Sequence, residues 1–192
     1  MAREASIYAP TGLALDQDGC LIFSEKGHHR IRRINKDGRL ETLAGNGDTL
    51  FNPAINDARN TGIPSPASLC TDNNGNIYCL FDIAKGDDLS QGLIKIDPNG
   101  NLIHLAGNPD GSTTTGINGQ LFRLNDAHQV ICDASNLCYI YMNAGLHSKI
   151  LKIDDMGLVH DYAGGSTTDA EDNLDPLDAS IGAEGHMAFT TN

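Results

Sequence analysis

The chain has 192 residues, of which 40% are hydrophobic, enough for one sizeable domain with a real core. No apolar run is long enough to cross a bilayer as a helix, so no membrane span is expected. Asp and Glu number 25 against 13 Lys and Arg, a net charge of −12 that repels DNA and leaves RNA binding only to basic groups set apart from the rest.

The opening MAREASIYAP contains no apolar stretch of the kind a signal peptide needs. The five cysteines are an odd number and read as reduced core residues rather than a disulfide framework. Together these favour a cytoplasmic setting.

The first elements follow at once. Leu13–Leu15 reads as a strand, Asp16–Gly19 as a turn and Cys20–Ser24 as a second strand. After a variable tip come a strand at Arg30–Ile34, a turn at Asn35–Gly38 and a strand at Arg39–Leu43, closed by Ala44-Gly45. The tip carries His28, His29, Arg30 and Arg32, which are candidate partner-binding residues. Adjacent histidines at a strand entry point to opposite faces, so at most one of them could join a metal site. Asp16-Gln17-Asp18-Gly19 has the look of a calcium loop but lacks the length and terminal Glu of one, and reads as a turn.

The pattern then returns. LALDQDGCLIF (13–23) aligns with LCTDNNGNIYC (69–79) and VICDASNLCYI (130–140), and IRRINKDGRLETLAG (31–45) with LIKIDPNGNLIHLAG (93–107) and ILKIDDMGLVHDYAG (150–164). A fourth copy begins at MAFTTN (187–192). Two segments recurring in the same order mark a structural repeat. Asn74-Gly75, Asp37-Gly38 and Asn99-Gly100 predict two-residue hairpin turns. Leu93, Ile94 and Ile96 are apolar on both sides of the strand alternation, as in a sheet covered on both faces. Four strands per repeat predict an all-β fold, a β-propeller of four-stranded antiparallel blades, with about three blades present as a partial propeller.

Between the copies run polar segments at 46–64, 108–124 and 165–184, rich in Gly, Thr and Asp. They are expected on one rim, where partner contacts concentrate. The last contains Asp169, Glu171 and Asp172, an acidic loop that could meet a partner or a cation. Cys70 and Cys79 would face each other across a hairpin turning at Asn74-Gly75, as a buried thiol pair or, under oxidant, a disulfide. His104 and His160 lie on fourth strands, but the repeat aligns His104 with Asp161, so no ring of equivalent metal ligands forms. No Gly-x-Ser-x-Gly elbow and no phosphate-binding Gly-rich loop is present.

PTGLALDQDGCLIFSEKGHHRIRRINKDGRLETLAGNG (10–47) resembles an NHL repeat: Pro-x-Gly-hydrophobic-Ala, Asp-x-x-Gly, a strand, a His-Arg-Ile step at 29–31, then a second turn. The later copies are looser, with Gln91-Gly92 and Ser148 at the His-Arg step. The resemblance implies a single NHL-type region over 1–192, with repeats at about 9–47, 65–109 and 124–165 and a fourth starting at 182–192. NHL propellers close with about six blades. It follows that this region belongs to a larger propeller or completes its ring by self-association.

The function expected is a non-enzymatic binding or scaffold module with a protein partner. The alternatives are a metal-dependent lyase or hydrolase with a central-channel site, an RNA- or glycan-binding propeller, and a virion component. No cofactor is assigned; calcium or zinc would need a converging ligand set that the sequence does not display. The basic run Arg30, Arg32, Arg33, Lys36 and Arg39 is peculiar to the first copy, which argues against RNA.

Overall fold

A computed structural model of the chain describes residues 1–85, 88–144, 147–165, 175–177, 181 and 187–188. The described residues form thirteen strands in three antiparallel sheets, with three short 3-10 turns and no α-helix. The first sheet runs β1 (Pro10–Leu15), β2 (Leu21–Glu25), β3 (Arg30–Ile34), β4 (Leu40–Ala44) in order. The second repeats it with β5 (Leu69–Thr71), β6 (Ile77–Lys85), β7 (Asp88–Ile96) and β8 (Leu102–Ala106). In the third, β9 (Ile117–Asn118) adds a fifth, outermost strand to β10 (Ala127–Cys132), β11 (Cys138–Ala144), β12 (His147–Ile153) and β13 (Leu158–Gly164). Consecutive four-stranded antiparallel meanders stacked face to face make this a propeller-type all-β fold.

The turns are the main correction to the sequence reading. They are not two-residue hairpins. In each, an Asp or Asn opens a three-residue loop and bonds back to the residue four further on: Asp16 N–H donates to Cys20 O, Asp72 to Asn76 O, Asp97 to Asn101 O. The opening side chain accepts from the backbone amides two and four residues ahead, at 2.8–3.0 Å in all six turns. The fourth position takes a left-handed conformation, supplied by Gly at five turns and by Asn136 (φ 65°) at the sixth. One extra loop residue moves every pairing: Leu69 sits opposite Cys79 and Cys70 opposite Tyr78. Cys70 and Cys79 are therefore not a facing pair.

A second irregularity recurs in the outer hairpins. The register of β3 with β4 skips Leu43, that of β7 with β8 skips Leu105 and that of β12 with β13 skips Tyr162. These bulges turn the following Ala onto the blade face and lead into Gly45, Gly107 and Gly164. At Gly107 (φ 101°) a side chain would collide with the carbonyl of Gln91, which explains the repeated Ala-Gly.

Alternation along the middle sheet divides its residues between two cores. Ile77, Cys79, Phe81, Ile94 and Ile96 pack with Ile22, Ile31 and Ala44 of the first sheet. Tyr78, Leu80 and Leu93 pack with Val130, Ile140 and Leu151 of the third. The inter-sheet segments are partly built into this frame rather than free on a rim. Asn101 bridges to Asp57 and Leu158 pairs with Asn118, so each segment covers the outer edge of the next sheet. Ala58 and Ile63 enter the first core, and Phe122 and Leu124 the second.

Candidate functional site

The innermost strands β1, β5 and β10 lie side by side and form a concave wall, as the channel side of a propeller does. Thr71 Oγ1 donates to Leu15 O (2.8 Å), Thr11 Oγ1 to Pro66 O (3.0 Å), and the Val130 amide to Ser68 Oγ (3.1 Å). Ser24 Oγ, fully buried behind β1, accepts from the Gly12 amide and donates to Ala67 O. Gly12 is obligatory here, because a side chain would run into the Ala67 carbonyl. The wall bounds an open cavity of about 570 Å³ that reaches from Thr11 and His128 at one end to Cys70 and Cys132 at the other.

The thiol end is chemically distinctive. All five cysteines are reduced. The sulfurs of Cys70 and Cys132 lie 3.3 Å apart, and Cys138 stands directly across the β10–β11 pair from Cys132. Hydrogen bonds from the thiols of Cys138 and then Cys70 stabilise a thiolate on Cys132 and pull its pKa down to about 5, against burial and the nearby carboxylates of Asp72 and Asp133. The same bonds push Cys70 and Cys138 upward, because each must give up the proton it donates. Cys79, wholly buried and facing the other core, is raised to about 12 by desolvation. Sequence reasoning missed this cluster because it paired Cys70 within its own hairpin. The signal was there: in the repeat alignment Cys70 and Cys132 fall one position apart on the innermost strands of neighbouring sheets.

At the opposite end of the wall a polar network surrounds His128. Asn143 Nδ2 donates to Asp126 Oδ2 (2.7 Å) and lies 2.8 Å from His128 Nε2, and Ser148 Oγ donates to Asn143 Oδ1 (2.8 Å). Asp126 adopts φ 53°, unusual for a residue with a side chain.

Two candidate residues of the first tip, His28 and Arg32, meet at Glu25, whose side chain is completely buried. His28 Nδ1 lies 2.6 Å from Glu25 Oε1, Arg32 Nη1 lies 3.3 Å from Oε2, and the Tyr8 amide donates to Oε1 (2.9 Å). His28 ends a 3-10 turn and His29 takes a left-handed φ of 56°, so neither is on a strand and the expected opposition of faces does not arise. His29 Nδ1 accepts from the Ser65 amide (3.0 Å), linking the first sheet to the approach of the second, and Arg30 donates to Asn46 O (3.1 Å). Asp169, Glu171 and Asp172 lie outside the described residues.

Several of the other basic and histidine candidates are engaged as well. Arg33 pairs with Asp16 (2.7 Å), and Lys36 with Asp18 (3.0 Å), whose carboxyl it holds below the usual range. The calcium-like Asp16–Asp18 turn is thus filled by backbone amides and by cations of its own sheet. His160 Nε2 lies 2.7 Å from Asp154 Oδ2. His104 is sunk between Phe51 and Phe81, and burial lowers its pKa. Among the described residues no group of three or more His, Cys, Asp or Glu side chains is arranged to hold a metal ion.

No protein-family model and no curated protein matches the chain. Solved structures do resemble it in fold. A protein of unknown function from Bacteroides thetaiotaomicron superposes with a TM-score of 0.62 at 18% identity, over 91% of this chain and 40% of that one. A candidate gluconolactonase gives 0.53 at 13% identity, over 80% and 48%. An auxiliary nutrient binding protein from Bacteroides ovatus gives 0.52 at 15%, over 85% and 38%. At these identities the likeness concerns the fold, which is that of a β-propeller. The chain spans less than half the length of these structures.

Proposed function

We propose that residues 1–192 are the NHL-type part of a larger propeller and serve as a non-enzymatic binding module for a protein partner. The NHL assignment is supported by Pro10-x-Gly12, the His29-Arg30-Ile31 step and the six Asp/Asn-opened turns. Each of these has a structural task here: Gly12 lets Ala67 approach, His29 joins two sheets, and the turns set the register.

One observation carries the binding reading. Leu13 and Leu15 are 66% and 60% exposed on the face of β1 turned away from the second sheet. They lie in register with Phe23, which is buried, and Leu21, which is half-buried, so the two exposed leucines continue an apolar sheet face. Such a patch on a soluble surface marks a contact site. The partner that fits is another leucine- and isoleucine-bearing sheet face, and a second copy of this chain carries one. Sedimentation of the purified chain over a concentration series should show reversible self-association that Leu13→Asp with Leu15→Asp abolishes. A chain that stays monomeric throughout, with the double variant indistinguishable from it, would overturn this reading.

A further inference from the structure

The thiol cluster lies at the end of the channel-side wall, in the cavity that Leu13 also lines. We propose that Cys132 and Cys70 are a peroxide-oxidisable pair, in which Cys132 is the attacking thiolate, Cys70 the resolving thiol, and the substrate a small hydroperoxide.

Position supports each role. Cys70 and Cys132 are half-buried and line the open 570 Å³ cavity, so a small oxidant reaches them from solvent. Cys138 is buried behind them. It stands directly across the strand pair from Cys132, close enough for its thiol to favour the anion there without being exposed to the oxidant itself. The two outer sulfurs are already in contact at 3.3 Å, against about 2.05 Å in a disulfide bond.

The chemistry balances in two steps. The Cys132 thiolate sulfur attacks the distal oxygen of the hydroperoxide. The O–O bond breaks and an alkoxide leaves, taking a proton from water, while Cys132 becomes a sulfenic acid, oxidised by two electrons. The Cys70 sulfur then attacks the Cys132 sulfur and the S–O bond breaks. Hydroxide leaves and takes the Cys70 proton as water, giving a disulfide. In sum, one thiolate, one thiol and one hydroperoxide yield one disulfide, one alcohol and one hydroxide, which the proton that Cys132 released on ionising converts to water. The product ties β5 to β10 across 62 residues of sequence. The second and third sheets would then be locked at the inner wall, where Ser68 to Val130 and Asn73 to Asn136 hydrogen bonds otherwise join them.

The test is oxidation of the reduced, folded chain with one equivalent of hydrogen peroxide. Residual thiols are then alkylated and peptides mapped, with fragmentation that separates Cys70 from Cys79 and Cys132 from Cys138. The expected product is a Cys70–Cys132 disulfide with the other three cysteines alkylated. Cys70→Ser should leave a sulfenic acid on Cys132 that dimedone traps, and Cys132→Ser should slow thiol loss roughly tenfold or more. A Cys132–Cys138 linkage in the wild-type chain would overturn the assignment of Cys70. Thiol loss no faster than in the urea-unfolded chain would overturn the proposal as a whole. Both of these readouts use the wild-type protein and do not depend on the variants folding.

Discussion

The carboxylate of Asp72 accepts from the amides of Asn74 and Asn76, from the Asn76 side chain (2.7 Å) and from the Tyr78 hydroxyl (3.1 Å), in a site almost closed to solvent. Removing it strands several buried donors, so Asp72→Ala should cost about 2–4 kcal/mol in urea unfolding. Asp72→Asn should recover more than half of that loss, because Asn35 already closes the outer turn of the first sheet, a loop of the same kind, through its own Oδ1. Equal losses for the two variants would mean that the charge, rather than the acceptor geometry, holds the turn. Cys132 offers a second test on one residue. Its folded pKa of about 5 lies below the ordinary thiol value of about 8.5, so the thiolate should persist at neutral pH and disappear only as pH falls through the folded value. Its stabilising contribution follows the same course, complete above the unfolded pKa and lost toward about 5. Iodoacetamide should therefore label Cys132 faster than the other four cysteines at pH 7, with a profile whose midpoint lies well below 8. In urea the midpoint should return to about 8.5. A folded-state midpoint above 8 would exclude the thiol-donor arrangement.

Strands, turns and edges obey local rules that the sequence displays to different degrees. The outer hairpin at Arg30–Ile34 and the doubly apolar character of Leu93, Ile94 and Ile96 were legible because side-chain period and turn residues agree there. The register was not. Asp-Gly and Asn-Gly dipeptides look alike whether they make a two-residue turn or the last part of a three-residue one. The deciding group is the Asp or Asn two residues before the dipeptide, whose side chain captures the amides two and four ahead. That single residue of offset separated Cys70 from Cys79 and hid its contact with Cys132. The first two inter-sheet segments misled for another reason: their polar composition matches a free loop, and only the bridge of Asp57 to Asn101 and the pairing of Asn118 with Leu158 show them to line sheet edges. Two glycines separate the local rules experimentally. Gly100 (φ 85°) closes a turn with open space around it, whereas Gly107 (φ 101°) follows the bulge against the Gln91 carbonyl. Gly100→Ala should cost about 1–2 kcal/mol, the strain of the left-handed backbone alone. Gly107→Ala should cost at least about 1 kcal/mol more, because the backbone there must also move. Matching midpoints in a denaturant titration would show that the bulge yields freely.

Among the described residues the core divides in two along the stack. The first core joins sheets one and two, the second joins sheets two and three, and no residue belongs to both. Adjacent residues of β7 therefore report on different interfaces: Leu93 faces the third sheet and Ile94 the first, and both are completely buried. Leu93→Ala should cost about 2–5 kcal/mol and Ile94→Val about 0.5–1.5 kcal/mol. Their effects should add to within about 0.5 kcal/mol, despite the shared peptide bond, because their cavities open on opposite sides of the sheet. In a stack governed by nearest-neighbour terms the losses should also be local. Hydrogen exchange of Leu93→Ala should accelerate the amides of β11 and β12 more than those of β2 and β3, and Ile94→Val should do the reverse. A uniform loss of protection over all three sheets in both variants would show that the stack opens as one unit. In that case a lock between β5 and β10 would stabilise the first sheet as much as the third. Under the nearest-neighbour arrangement the same lock protects the second and third sheets and leaves the first, with its exposed Leu13 and Leu15, free to engage a partner.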